Sequence, residues 1–105
     1  MNVWKGDVRV LIVDDCPMVR EFMISLLAEE SSIQIVGEAT NGEEGIQLAL
    51  QLHPDLIIMD IEMPVMNGLD AIEVIMQDNP TPIMVVTSDS DAHLAYEAIG
   101  RGALE

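Results

Sequence analysis

Cations are scarce in this chain. Four Lys and Arg residues stand against nineteen Asp and Glu, a formal net charge of −15 at pH 7. Grip on a nucleic-acid backbone requires clustered cations that displace counterions. The sequence holds no such cluster, which argues against direct nucleic-acid binding and, for the same reason, against an anionic membrane surface. Cys16 is the only cysteine, so no disulfide can form within the chain. Aromatic residues make up 3% of the chain, which leaves Val, Ile, Leu, Met and Ala to fill a core. Eight Met against one Phe and one Trp suggest a pliable interior. No apolar run is long enough to span a bilayer. The opening MNVWKGD lacks the basic start and hydrophobic stretch of a signal peptide, so the expected compartment is the cytoplasm.

What is present is aliphatic. Half of the residues are hydrophobic, unlike a disordered chain, and 105 residues suit one small domain with one core. Val8–Val13 (VRVLIV) is a β-branched run that reads as a buried strand. Pro17 fits the first turn of a helix, and Val19, Phe22, Met23, Leu26 and Leu27 recur with helical spacing as one buried face. Residues 33–36 read as a second strand. Asn41-Gly42 opens a second helix with Ile46, Leu48, Ala49, Leu50 and Leu52 as core candidates, and His53-Pro54 stops it. Residues 56–59 form a third strand ending at Asp60. A loop through Gly68 leads to a third helix carrying Leu69, Ile72, Val74, Ile75 and Met76. Residues 83–86 form a fourth strand ending at Thr87-Ser88, and Ser90 or Asp91 caps a fourth helix running to about Ile99. Strands alternating with helices through short connections predict an α/β fold, a parallel sheet with helices on both faces. The third strand is fully apolar, which fits a parallel strand covered on both faces.

In such sheets, sites form at the carboxyl ends of strands. The first strand ends at Asp14-Asp15, the third at Asp60 and the fourth at Thr87. Carboxylates brought together repel, and a hard cation is their natural neutraliser. Mg²⁺ takes few protein carboxylates and keeps positions open for phosphate oxygens, and a carboxylate beside it can attack phosphorus. Each residue also has a plainer role. Asp14 and Asp15 could be helix N-terminal acids favoured by the helix dipole, Asp60 a loop acid, and Thr87 a strand-end residue. The convergence of acids after two strands and a hydroxyl after another favours a Mg²⁺ and phosphoryl site.

VLIVDD at residues 10–15 resembles the opening of a response-regulator receiver domain. DIEMPVMNG at residues 60–68 resembles its phosphoacceptor strand and loop, PIMVVTS at residues 82–88 its fourth strand and switch hydroxyl, and Gly102-Ala103 the pair before its fifth strand. The resemblance runs from Val8 onward with four motifs in register. It implies a doubly wound, flavodoxin-like sheet of order 2-1-3-4-5. It implies that Asp60 accepts a phosphoryl group from a histidine kinase. It also implies that Asp14, Asp15, Asp60 and the backbone carbonyl of Glu62 hold Mg²⁺, and that Thr87 bonds the phosphoryl oxygen. Such a domain is a regulatory module of two-component signalling rather than an enzyme. The DIEMPVMNGL segment, with NPTP at residues 79–82, is further similar to the regulatory domain of chemotaxis protein-glutamate methylesterases, which implies a methylesterase as the output domain.

The family's fifth strand, its lysine and its last helix would lie beyond Glu105, and Lys5 is at the wrong end to replace that lysine. Residues 1–105 are therefore expected to be a single receiver domain shortened before the fifth strand, with Leu104-Glu105 suspected as a cloning remnant. An open fourth strand would invite homodimer formation or segment exchange, and lower stability and phosphorylation are expected than in a longer domain. The alternatives are a phosphorylation-independent receiver-like interaction module, the receiver of a DNA-binding regulator, and a Mg²⁺ phosphatase. One common type of the last has a second Asp two residues after its nucleophile, on the first strand, whereas here Asp60 is followed by Glu62 and ends the third strand. A nucleotide-binding enzyme is disfavoured because DDCPM follows the first strand where a glycine-rich phosphate loop should be. Cys16 is read as a small packing residue. His53 and His93 are read as structural, lacking ligand-spaced neighbours. Met63 and Met66 are read as loop packing, and Trp4 as either disordered or a lid on the core.

Overall fold

Val8–Val13 forms β1, and its alternation sends successive side chains to opposite faces of a sheet. Val10 and Ile12 point to one face, Leu11 and Val13 to the other, and all four are buried. The computed structural model describes residues 7–61, 63, 65–86 and 99–102. Six further elements follow in alternation: α1 (Pro17–Leu27), β2 (Ile33–Ala39), α2 (Gly42–Leu52), β3 (Leu56–Asp60), α3 (Gly68–Asp78) and β4 (Ile83–Val86). The strands make one parallel sheet of order β2-β1-β3-β4. Among the described residues, β4 has β3 on one side and no strand on the other. No helix among them is long and apolar enough to cross a membrane.

Two apolar clusters lie on the two faces. The larger joins Leu11, Val13, Ile57, Met59 and Ile83 to Ala49 of α2 and to Leu69, Ile72 and Ile75 of α3. The smaller joins Val10, Ile12 and Ile58 to Met23, Ile24 and Leu27 of α1. Each fully buried Ile or Leu contributes about 1.5–3 kcal/mol of transfer free energy.

Three expectations are corrected. Val19, Phe22 and Leu26 of α1 are exposed, Phe22 by 63%, because the helix rests on the sheet through the neighbouring row of Met23, Ile24 and Leu27. Leu50 of α2 is likewise exposed. β2 runs three residues past Val36, because main-chain pairing with β1 continues through Gly37 and Glu38 although the apolar run has ended. The register shifts between Val10 and Leu11, which face Ile35 and Gly37, so Val36 is an extra residue of a β-bulge.

α2 stops where its sequence predicts. His53 takes a left-handed conformation (φ 49°) and its N–H donates to the Ala49 carbonyl. Arg9 reaches across from β1, and its Nη1 donates to the carbonyls of Leu52 and His53 at 2.8 and 2.9 Å. Carbonyls in the last helical turn have no partner within the helix, so Arg9 satisfies two of them. Met63 and Met66 pack against the larger cluster, as expected of loop residues that fill space. Ile99 and Gly100 are helical, at the far end of the expected fourth helix. The rest of that helix, with Ser90, Asp91 and His93, and Trp4 near the start of the chain, lie outside the described residues.

Candidate functional site

Parallel pairing of β1 with β3 determines which acids meet. Val13 stands opposite Met59, so Asp14 leaves β1 beside Asp60, the last residue of β3. Asp15 follows at once. Carboxylate oxygens of Asp14, Asp15 and Asp60 all lie within 4.8 Å of one another. Burial grades across the three: Asp14 is 4% exposed, Asp60 half-buried and Asp15 exposed. The structure thus brings together three of the predicted site residues. Thr87 and Glu62 lie outside the described residues.

Asp14 is tightly held. Its N–H donates to the Ala39 carbonyl of β2 at 3.0 Å, and its Oδ1 accepts from the Cys16 N–H at 2.9 Å. Cys16 itself is exposed rather than a packing residue. It occupies the extended position just before α1, where the chain is still outside the helix (φ −93°, ψ 112°) and Pro17 begins the first turn. Sequence reasoning missed one participant, Arg20, whose Nη1 donates to the Asp14 carbonyl at 2.6 Å and whose Nε donates to Glu38 Oε1 at 3.1 Å. Its only signal in the sequence is a lone cation one turn into a helix that follows two acids.

The loop after Asp60 is drawn tight against the strand. The Gly68 N–H donates to the Ile61 carbonyl at 2.7 Å, and a Cβ at Gly68 would fall 2.2 Å from the Asp60 carbonyl oxygen. Only glycine lets the start of α3 approach this closely. Asn67 caps that helix by accepting from the Asp70 N–H at 3.0 Å. The Gly42 N–H at the start of α2 donates to the Met66 carbonyl at 2.8 Å, tying a second helix to the same loop. Val65 has φ 68°, an uncommon conformation for a β-branched residue, and is 79% exposed.

Three carboxylates this close repel one another, and burial of Asp14 intensifies the effect. Oxygen donors in this arrangement match what a hard divalent cation requires, so the residues present fit Mg²⁺. A carboxylate within the group, on the end of a strand and partly accessible, is also placed to act as a nucleophile.

Comparison with known proteins agrees with this architecture. The family model for the response regulator receiver domain matches residues 10–105. The chain is 45% identical over 101 residues to protein-glutamate methylesterase/protein-glutamine glutaminase 3 of Paramagnetospirillum magneticum, covering 96% of this chain and 28% of that protein. It therefore spans just over a quarter of that relative's length. Among solved structures it is similar to the response regulator domain of Thermotoga maritima CheB, with a TM-score of 0.89, 37% identity, and coverage of 93% of this chain and 75% of that one. It is also similar to a chain of the CheX–CheY–BeF3–Mg²⁺ complex of Borrelia burgdorferi, with a TM-score of 0.87, 25% identity, and coverage of 93% and 75%. The strand order, the acids at the ends of β1 and β3 and the match over nearly the whole chain agree, and the chain belongs to the response regulator receiver domain family, related to the regulatory domains of chemotaxis methylesterases.

Proposed function

We propose that residues 1–105 act as one receiver domain in which Asp60 accepts a phosphoryl group from a phosphohistidine on a partner kinase, and that this modification regulates a methylesterase output domain. The observation that carries the proposal is the gathering of Asp14, Asp15 and Asp60 at one sheet edge. Kinship with methylesterase relatives supports the choice of output, and the BeF3 and Mg²⁺ in the related Borrelia complex support the chemistry.

In the transfer, an Asp60 carboxylate oxygen attacks phosphorus, the N–P bond to the histidine breaks, and the leaving imidazole nitrogen takes a proton. Little covalent work falls to the protein, so positioning and charge neutralisation dominate. Asp14, Asp15 and the Glu62 carbonyl are assigned to holding Mg²⁺ beside Asp60. When bound, the ion offsets the charge of the acids and of the incoming phosphoryl oxygens. Thr87 is assigned the hydrogen bond to the phosphoryl group after transfer. Asp14, fixed at its N–H and at Oδ1, holds its carboxylate in place without needing to reorganise.

The test is intact mass after exposure to acetyl phosphate, with and without MgCl2, beside Asp60→Ala. One added phosphoryl group that requires Mg²⁺ and disappears in Asp60→Ala is expected. A folded chain that gains no mass refutes the phosphoacceptor role and favours a receiver-like module that acts through binding alone.

A further inference from the structure

Of the three arginines among the described residues, two work away from the acids. Arg9 satisfies the end of α2, and Arg101 pairs with Asp70 and Glu73 of α3. Arg20 alone stands behind the acidic cluster. Its side chain is 14% exposed, while that of its partner Glu38 is 46% exposed. The guanidinium bridges two elements: Nε bonds Glu38 of β2, and Nη1 bonds the main-chain carbonyl of Asp14.

We propose that Arg20 is a positioning residue for the divalent cation: by bonding the Asp14 carbonyl it fixes the Asp14–Asp15 peptide, so that both carboxylates face the ion together. The proposal rests on the Mg²⁺ site proposed above. The peptide unit is planar, so holding its oxygen fixes the direction in which the chain leaves toward Asp15. With Arg20 in place, Asp14 is held from β2 through its N–H, from α1 through its carbonyl and from its own turn through Oδ1. Mutual repulsion favours any rotation of this peptide that separates the acids, and the bond from Arg20 opposes it. Charge alone does not meet the requirement. The guanidinium spans Glu38 and the Asp14 carbonyl with two differently directed N–H groups, whereas a lysine ammonium is a point charge at the end of a flexible stem.

The two effects of Arg20 on a cation have opposite signs, which makes the proposal testable. Removing a nearby positive charge favours Mg²⁺ binding, whereas releasing the peptide disfavours it. The 105-residue chain, Arg20→Lys and Arg20→Met are titrated with MgCl2, following amide chemical shifts of Asp14, Asp15 and Asp60, with thermal unfolding recorded on the same samples. Arg20→Lys, which keeps the charge and loses the fork, is expected to raise the Kd for Mg²⁺ about tenfold, within the range known for residues that orient metal ligands. Arg20→Met is expected to weaken binding too, despite the lost cation. Equal affinity in Arg20→Lys, or tighter binding in Arg20→Met, overturns the proposal. Should either Arg20 variant fold poorly, Glu38→Met removes the acceptor of the Arg20 Nε without removing the guanidinium. Its weaker Mg²⁺ binding is expected to persist in about 1 M NaCl, where the screening length falls to about 3 Å. Wild-type affinity in Glu38→Met at high salt overturns the positioning role. A wild type whose three Asp amides ignore MgCl2 overturns the metal site as well. A responding wild type with an equally responding Arg20→Lys overturns only the role of Arg20.

Discussion

Gly68→Ala is the most informative single methyl that can be added to this chain. A Cβ there would lie 2.2 Å from the Asp60 carbonyl oxygen, 2.8 Å from the Ile61 Cα and 3.0 Å from the Asp60 carbonyl carbon. All three are main-chain atoms, so no rotamer change relieves the contact. The start of α3 must move off β3, stretching the 2.7 Å bond from the Gly68 N–H to the Ile61 carbonyl. Overpacking typically costs about 1–3 kcal/mol, and losing that bond adds about 1 kcal/mol, so a loss of about 2–4 kcal/mol is expected. Two further glycines calibrate the result. A Cβ at Gly45 would meet the Val13 side chain, its two methyl carbons at 3.1 Å and its Cβ at 3.7 Å, and one at Gly100 would meet nothing within 4 Å. In the interior of α2, Ala in place of Gly gains up to about 1 kcal/mol of helix propensity, so Gly45→Ala should be near neutral. Gly100→Ala should be neutral to slightly stabilising. Urea unfolding reads all three. With a slope of about 1–3 kcal/mol per molar, Gly68→Ala should lower the midpoint by at least about 0.7 M. A Gly68→Ala midpoint equal to that of Gly100→Ala would refute the close-approach argument.

Other consequences can be measured directly. Val65→Asn should stabilise the chain by about 1 kcal/mol, because Asn tolerates the left-handed region that strains a β-branched residue. Thermal unfolding should then rise by about 4–8 °C, and an unchanged midpoint would show that the loop bears no strain. Arg9→Met should destabilise by about 1–2 kcal/mol by stripping the Leu52 and His53 carbonyls of their donor. Amide exchange should accelerate most in the last turn of α2, and uniform acceleration would contradict a local role. Asp15→Asn should stabilise the metal-free chain by about 1 kcal/mol at low salt, the Coulomb scale for one pair near 4.8 Å in water. The gain should vanish in MgCl2, and a gain that persists would mean that repulsion among the acids is not its source.

The sequence allowed β1 and β4 to be bounded correctly because β1 is a β-branched run between Asp7 and Asp14, and β4 is an unbroken aliphatic run that starts after Pro82. β2 was legible only as far as Val36, since Gly37 and Glu38 interrupt the hydrophobic signal while main-chain pairing continues. In α1 the periodicity was real but pointed to two adjacent rows, and composition could not say which one faces the sheet. Met23, Ile24 and Leu27 do. Asp14, Asp15 and Asp60 were legible because topology alone brings the carboxyl ends of neighbouring parallel strands together. Arg20 was not, because its partners, the Asp14 carbonyl and Glu38, are joined to it by crossing from α1 to β2, a contact that no local pattern records.

The row that α1 leaves in solvent shapes how this protein behaves in a tube. Met18, Phe22 and Leu26 recur every four residues and are 77%, 63% and 51% exposed. Such a stripe favours sticking between copies, yet each copy carries a net charge of −15 that holds others at a distance. The balance is set by the buffer. At 0.01 M salt the repulsion extends about 30 Å, and at 1 M it collapses to about 3 Å. Solubility should therefore fall, rather than rise, as salt is added, and stocks should keep best in dilute buffer well above the isoelectric point of about 4.1.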